Sequence, residues 1–485
     1  MNYKMVLSVL GRTLLIEALL LICPMLVGIY YNENTSMAFL IPILGLVAIG
    51  LPFSLIKIKD KSIYTKEGFV IVALAWIMLS IVGAFPFVIS GAIPNYVDAL
   101  FETVSGFTTT GSSILSNVES LPNSMLFWRS FTHFIGGMGI LVFVLAILPK
   151  SDTGSMHVFR AESPGPSVGK LVGKLAFTAR ILYGIYVVMF VIELVMLVCG
   201  GMPVFDSIVH SFGTAGTGGF SIKNNSIAFY NNAYFEIVIA IFMFLFGINF
   251  NVFYLLLLGN FKKVLKSEEL RAYLFIIISA TMVIAINILS SCVNFGQAIR
   301  YSFFQVTSIS SSTGYNTADF DKWPALSKSI IVVLMIVGAC GGSTGGGIKV
   351  SRLVILLKSV FADIKRLIHP HSVVSVKFEG ERLEKETERN VRSYFTLWIL
   401  IVALTTVLLC IDIDDFLTNF TAVISCIGNI GPGLSNAGLN MVGPTFNYGG
   451  YSVWSKLLMS VVMLFGRLEI FPMLMLFIPR TWKKN

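Results

Sequence analysis

Apolar residues fall in long blocks along this chain, with polar residues gathered between the blocks. Runs rich in Leu, Ile, Val, Phe and Met, each near the ~20 residues needed to cross a bilayer as a helix, lie at about 9–30, 37–56, 68–90, 127–149, 178–199, 233–259, 272–293, 329–358, 393–411 and 454–479. Ten spans are expected. The first runs on to Tyr30 without an Ala-x-Ala cleavage pattern, so it reads as a span rather than a leader. The loops sort by charge. Segments 1–12, 57–66, 150–180, 261–271, 349–392 and 480–485 hold 28 of the 35 Lys and Arg, and the opposite set is almost bare. The positive-inside rule places both termini and the basic loops in the cytoplasm, and an even number of spans agrees with termini on one side.

Several loops of the opposite set begin with a short, moderately apolar stretch ending in Gly, Thr and Ser. Asp98–Thr108 is about 11 residues, or roughly 16 Å as a helix. It reaches halfway into a bilayer and cannot cross it. Backbone at that depth is tolerated only inside protein or along a watery cavity, so the stretch reads as a re-entrant pore helix. The expected fold is an all-α polytopic membrane protein with four such helices.

Four copies of one unit (span, half-helix, glycine loop, span) recur at intervals of about 100 residues, a period that is itself informative. The copies read Phe101–Gly111, Val209–Gly219, Phe304–Gly314 and Cys426–Gly433. The second leaves Gly218 or Gly219 as the central residue. Asp98 lies 13 residues before Gly111, as Asp206 does before Gly219, and Gly219-Phe220 matches Gly314-Tyr315, so Gly219 is preferred. The expected divisions are 1–66, two peripheral N-terminal spans, and four pore repeats, 67–150, 151–262, 263–377 and 378–485.

An ion that sheds water needs a ring of oxygens in its place, and backbone carbonyls supply one when successive carbonyls face a common axis. Glycine adopts the required backbone at little steric cost. Half-helix C-termini aimed at the cavity favour a cation. The candidate ion-binding residues are Thr109, Thr110 and Gly111; Thr217, Gly218 and Gly219; Ser312, Thr313 and Gly314; and Asn429, Ile430 and Gly431. None is acidic.

Composition narrows the class. The chain has 485 residues, 55% hydrophobic and 13% charged, with mean hydropathy +0.81; soluble domains run about a quarter charged. A secreted enzyme, a cytosolic αβ enzyme and a disordered chain are excluded. Net charge is +9, but the basic residues sit between spans, so lipid rather than nucleic acid is the expected partner. The six cysteines, at 23, 199, 292, 340, 410 and 426, form no CxxC pair, and no disulfide framework or zinc site is expected.

On these residues the sequence resembles the Trk/Ktr/HKT superfamily of potassium-transport proteins, and within it the TrkH-type membrane subunit. The resemblance covers nearly the whole chain. It is carried by Trp128-Arg129-Ser130 with Ile135-Gly136-Gly137-Met138-Gly139-Ile140, by Arg160-Ala161-Glu162-Ser163-Pro164-Gly165-Pro166, by Thr313–Phe320, by Gly341–Lys349 and by Asn429–Gly433. It implies a pseudo-fourfold, potassium-channel-like pore preceded by two extra spans in the bacterial inner membrane. It also implies K⁺ as the transported ion, since family members with four central glycines favour K⁺ and those with Ser in the first loop pass Na⁺. A homodimer and a cytosolic TrkA-like regulatory subunit that binds nucleotide are implied as partners. Ser311, Ser312 and Ile430 depart from the commoner family residues.

Six glycines in the ten residues Gly338–Gly347 interrupt the eighth apolar segment, and each costs ~1 kcal/mol against Ala in a helix. A nucleotide P-loop is excluded, because GxxxxGK[ST] is absent and both flanks are apolar. The gate candidates are Gly341, Gly342, Ser343, Thr344, Gly345, Gly346 and Gly347, with Arg467 in the last span. A charge at that depth costs ~2.5 kcal/mol or more and faces a cavity or a partner, Glu469 being the nearest acid in sequence. Glu17 is expected to be paired or interfacial, Arg129 to brace a pore helix through Glu102, and His133 and His210 to pack. Glu102, His210 and Gln305 hold equivalent repeat positions behind the filter.

The expected function is K⁺ uptake, channel-like or by symport. A cation-coupled secondary carrier for another solute is the alternative, though carriers of that kind often use inverted repeats and these repeats share one orientation. An enzyme is not expected, because no His/Asp/Glu cluster lies in the spans. No cytoplasmic loop is long enough for a nucleotide-binding domain, so regulation falls to a separate chain.

Overall fold

A computed structural model describes residues 1–56, 65–139, 175–372, 374–436 and 439–483. The connector 160–166 and the latter part of the span expected at 127–149 lie outside the described residues. The helices are α1 (Tyr3–Leu20), α2 (Ile22–Tyr30), α3 (Ser36–Ser54), α4 (Thr65–Gly83), α5 (Phe85–Ile89), α6 (Tyr96–Phe107), α7 (Asn123–Gly137), α8 (Leu175–Cys199), α9 (Val204–Gly216), α10 (Ala233–Phe246), α11 (Phe250–Leu257) and α12 (Phe261–Lys266). They continue as α13 (Glu268–Ile288), α14 (Phe295–Ser310), α15 (Ala325–Val337), α16 (Val350–Ile368), α17 (Lys385–Leu409), α18 (Phe416–Gly428), α19 (Val453–Arg467), α20 (Ile470–Phe477) and α21 (Pro479–Trp482). Between α16 and α17 a small antiparallel hairpin pairs β1 (Lys377–Phe378) with β2 (Glu381–Arg382).

Among the described residues, six helices are long and apolar enough to cross a bilayer, or seven if the bent pair α10–α11 counts as one span. Ten were expected, and the difference lies in the second helix of each repeat. The runs 233–259 and 454–479, expected as continuous spans, are both broken. The α10–α11 pair bends by 90°, where Asn249 caps a new helix by accepting from Asn251 N–H at 3.0 Å. The α19–α20 break falls at Glu469, whose φ is +60°. Pro472 then sits in the first turn of α20, where a missing N–H has no intrahelical partner to lose. The third break, between α15 and α16, is the glycine-rich segment.

The N-terminal helices pack through small residues. A Cβ on Gly11 would stand 2.8 Å from Gly50 O, and one on Gly50 would stand 2.9 Å from Gly11 O, so α1 and α3 approach at backbone distance. Glu17 corrects an expectation. It is fully buried in α1 and neither carboxylate oxygen has a hydrogen-bond partner among the described residues, so the expected pairing is not found there. The N-terminal ammonium donates to Lys483 O at 3.3 Å, which brings the two ends of the chain together on one face.

The short helices α6, α9, α14 and α18 are buried at their C-terminal halves despite rows of Ser and Thr. Their hydroxyls fold back onto the helix: Thr103 Oγ1 donates to Ala99 O at 2.7 Å, and Thr214 Oγ1 to His210 O at 3.0 Å. Three of these helices start at a side-chain cap, with Asn95, Asn294 and Asp415 accepting from Val97, Gln297 and Thr418 N–H at 2.8, 2.8 and 2.9 Å.

Candidate functional site

Each short helix gives way to a loop of one backbone shape. Thr109 N–H donates to Gly106 O at 3.1 Å and Thr110 N–H to Ser105 O at 2.8 Å. The same pair of bonds runs from Thr217 and Gly218 (3.0 and 2.9 Å), from Ser312 and Thr313 (3.1 and 2.8 Å), and from Asn429 and Ile430 (3.3 and 2.9 Å). Two positions per loop are left-handed. Thr109, Thr217, Ser312 and Asn429 have φ of 56°, 53°, 62° and 53°; Gly111, Gly219, Gly314 and Gly431 have 81°, 72°, 83° and 100°. Gly219 is therefore the counterpart of the other three glycines, and Gly218 matches Thr110, Thr313 and Ile430. Non-glycine residues held in this region cost of order 1–3 kcal/mol each and persist where the surroundings over-determine them.

The loops close into a ring. A Cβ on Gly111 would overlap the carbonyl oxygen of Gly218, one on Gly219 that of Thr313, and one on Gly314 that of Ile430; on Gly431 it would stand 2.9 Å from Thr110 O. Each glycine abuts the residue preceding the next glycine, in cyclic order. All twelve candidate residues are thus gathered at one place, with four helix C-termini leading into it. At one edge, Thr109 Oγ1 and Asn429 Oδ1 are buried without a hydrogen-bond partner among the described residues. At the other, Gly431 O accepts from Tyr448 OH at 2.7 Å and Ser112 Oγ at 3.1 Å, so this carbonyl is committed to protein donors.

The chain leaving each loop is tied back to its own short helix. Glu102 accepts from Ile114 N–H at 3.0 Å and Ser113 Oγ at 2.9 Å. His210 Nε2 meets Ser221 Oγ at 3.0 Å, and Gln305 Nε2 donates to Ala318 O at 3.3 Å. The fourth repeat has Ala422 at this position, and its neighbour Thr421 takes over, with Oγ1 accepting from Leu434 N–H at 3.0 Å and lying 2.9 Å from Leu434 O. Arg129 pairs with Glu102 at 2.5 Å, donates to Ser221 O at 2.9 Å and lies 3.5 Å from the centre of the Phe220 ring. His133 bonds Gly106 O at 2.8 Å and packs on Phe220.

The glycine-rich segment lies against the Thr109–Asn429 edge. Gly346 N–H donates to Ser312 Oγ at 2.6 Å. A Cβ on Gly345 would stand 2.6 Å from Ser311 O, and one on Gly346 would overlap Gly428 O. On its outer flank Cys340 N–H donates to Gly247 O at 3.1 Å, and Thr344 Oγ1 to Phe246 O at 3.3 Å. Arg467 reaches the same segment: its guanidinium donates to Thr344 O at 2.6 Å and to Gly136 O and Gly137 O at 2.5 and 2.6 Å. Glu469 accepts from Arg352. Lys349, buried at the end of the segment, donates to Gly345 O. It was not singled out from the sequence, although its place directly after the glycine run marked it. Tyr448 was also missed, because it lies 17 residues beyond the carbonyl it holds.

Beyond the fourth loop, Asp321 accepts from Ser435 N–H through both oxygens at 3.2 Å. Burial pushes its carboxyl up to about 6, against the opposing pull of that N–H.

A family model described as a cation transport protein, TrkH, matches residues 37–484. The chain belongs to the TrkH family. Two relatives, each called Trk system potassium uptake protein TrkH, from Salmonella typhimurium and Escherichia coli, are 34% identical over 495 residues, covering the whole of both chains. The crystal structure titled as the potassium transporter TrkH from Vibrio parahaemolyticus superposes with TM-score 0.89 at 30% identity, again over all of both chains. The protein is a membrane transport protein and not an enzyme.

Proposed function

We propose that the protein takes up potassium across the cytoplasmic membrane through the ring of four loops, with backbone carbonyls of Thr109–Gly111, Thr217–Gly219, Ser312–Gly314 and Asn429–Ile430 replacing the ion's water, and with Gly431, whose own carbonyl is held by Tyr448 and Ser112, closing the ring. The observation that carries this reading is the cyclic contact of the four glycines with each neighbour's carbonyl. Such a ring presents main-chain oxygens from four loops around one axis and needs no carboxylate. The orphaned Thr109 Oγ1 and Asn429 Oδ1 add to it, since buried polar atoms normally have partners and a partly dehydrated cation is one. The relatives' names speak for potassium as the ion. In this reading α6, α9, α14 and α18 are pore helices of repeats 67–150, 151–262, 263–377 and 378–485, and helices of 1–66 stand outside the pore.

The glycine-rich segment 341–347 is the gate, lying across the inner edge of the filter with Arg467 holding it and opposing cations by charge. The relatives' name, Trk system, supports further subunits, and the basic cytoplasmic loops suit a separate nucleotide-binding regulator. A homodimer of the pore chain fits the same reading.

The test is rubidium and sodium uptake in K⁺-starved cells expressing the protein. Gly111→Ser is expected to lose preference for Rb⁺ over Na⁺, and Arg467→Ala to raise flux. Unchanged selectivity in the first variant overturns the filter; unchanged flux in the second overturns the gate.

A further inference from the structure

The gate segment is held from its outer flank by one buried carboxylate that neither the filter nor Arg467 requires. Glu269, in the first turn of α13, is 5% exposed. Its Oε1 accepts from Gly341 N–H at 2.6 Å and from Ser351 N–H at 3.2 Å, and its Oε2 accepts from Asn249 Nδ2 at 3.2 Å. One side chain thus joins the start of the glycine segment, the helix that follows it and the kink between α10 and α11. Phe250 N–H, donating to Gly342 O at 3.0 Å, completes the attachment. Charge-assisted bonds of this kind are about twice as strong as neutral ones and fix geometry.

The backbone of Glu269 is held in turn from the cytoplasmic hairpin. Glu379, in the β1–β2 turn with φ of +53°, accepts through Oε1 from Glu269 N–H at 3.0 Å and from Ser267 Oγ at 2.8 Å. Lys358 of α16 clamps the assembly, donating to Glu268 Oε2 at 2.5 Å and to Lys377 O at 2.9 Å. The hairpin is therefore two hydrogen bonds away from Gly341: Glu379 to the Glu269 amide, and the Glu269 carboxylate to the Gly341 amide.

We infer that Glu269 is the positioning residue that latches the gate segment shut, and that the hairpin, through Glu379, sets whether the latch can engage. This rests on the gate reading above. Displacement of the hairpin by a cytosolic partner would uncap α13, shift Glu269 and free Gly341.

The experiment is Rb⁺ and Na⁺ influx into proteoliposomes holding the full-length protein alone. Glu269→Ala is expected to raise basal Rb⁺ influx about tenfold with the Rb⁺ to Na⁺ ratio unchanged, because the filter is untouched. Glu379→Ala should raise it about threefold, and the double variant should match Glu269→Ala alone, because the two residues act in series. Independent loss of structure would instead multiply the effects and degrade selectivity. Should Glu269→Ala fail to fold, Glu269→Gln, which keeps one acceptor oxygen, is paired with Glu379→Ala and read the same way. Unchanged flux in the Glu269 variant, or multiplied effects in the double variant, overturns the latch. Arg467→Ala separates the failures: if it raises flux while Glu269→Ala does not, only the latch is wrong, and if neither does, the gate reading has failed.

Discussion

Removing Glu102 tests how the first loop is held. Its side chain is fully buried and accepts from Arg129 Nε at 2.5 Å, Ser113 Oγ at 2.9 Å and Ile114 N–H at 3.0 Å. Arg129 is 3% exposed and, among the described residues, keeps Ser221 O and the Phe220 ring once the carboxylate is gone. Breaking a buried pair from one side costs about 3–5 kcal/mol, because an uncompensated charge is left in the interior. Three charged hydrogen bonds counted separately at ~1.5–3 kcal/mol each would suggest more, but they share one acceptor group and do not add, so about 4 kcal/mol is the working figure. With an unfolding entropy of about 2.1 cal/mol/K per residue over 485 residues, that lowers the melting temperature by roughly 4 °C. The bonds lost also tether the chain leaving the first loop, so Rb⁺ over Na⁺ selectivity should fall in Glu102→Ala. Replacing both partners with Met should restore the melting temperature, since apolar replacement of a buried pair is near neutral, without restoring selectivity. The assays are thermal unfolding in detergent and paired ion uptake in proteoliposomes. A single variant melting within about 1 °C of wild type, with selectivity intact, would refute the assignment.

Three further outcomes are expected. Gly346→Ala places a methyl on Gly428 O, an overpacking cost of about 1–3 kcal/mol; the glycine-rich segment should withdraw from the ring and basal Rb⁺ influx rise, and an influx equal to wild type would contradict the proposed gate. Asp321 titrates near 6 when folded against 3.8 in a free chain, so the native state binds this proton more tightly. Its contribution to stability is full below about pH 4 and lost as pH rises through 6; the wild type should lose melting temperature relative to Asp321→Asn between pH 5 and 8, and parallel profiles would show the group is not buried as described. Tyr448→Phe deletes one of two donors to Gly431 O, so the freed carbonyl should alter the Rb⁺ to K⁺ ratio in competitive uptake while the melting temperature falls by no more than about 2 °C.

The membrane class, the basic and bare loops and the four glycine loops were all legible in the chain, because each rests on local composition or on a period that survives without coordinates. Even the pairing of Arg129 with Glu102 was within reach, since both lie in one repeat. The continuity of the second helices was not. The runs 233–259 and 454–479 are predominantly apolar, and their mean hydropathy does not separate a straight span from one bent at Asn249 or broken at Glu469. At the first of these breaks a backbone group freed at the kink finds its partner on a neighbouring repeat, Phe250 N–H donating to Gly342 O.

Local pattern was enough to mark the chain as a membrane protein and to single out the glycines at which the backbone turns left-handed, since hydrophobic transfer and glycine φ are properties of single residues and short windows; the left-handed Thr109, Thr217, Ser312 and Asn429 came from the structure. Which carbonyl meets which glycine, and that Arg467 grips the glycine-rich segment at Thr344, depended on contacts between residues about a hundred or more positions apart. Such contacts arise only when the four repeats close on one another, and no window of the sequence encodes that closure.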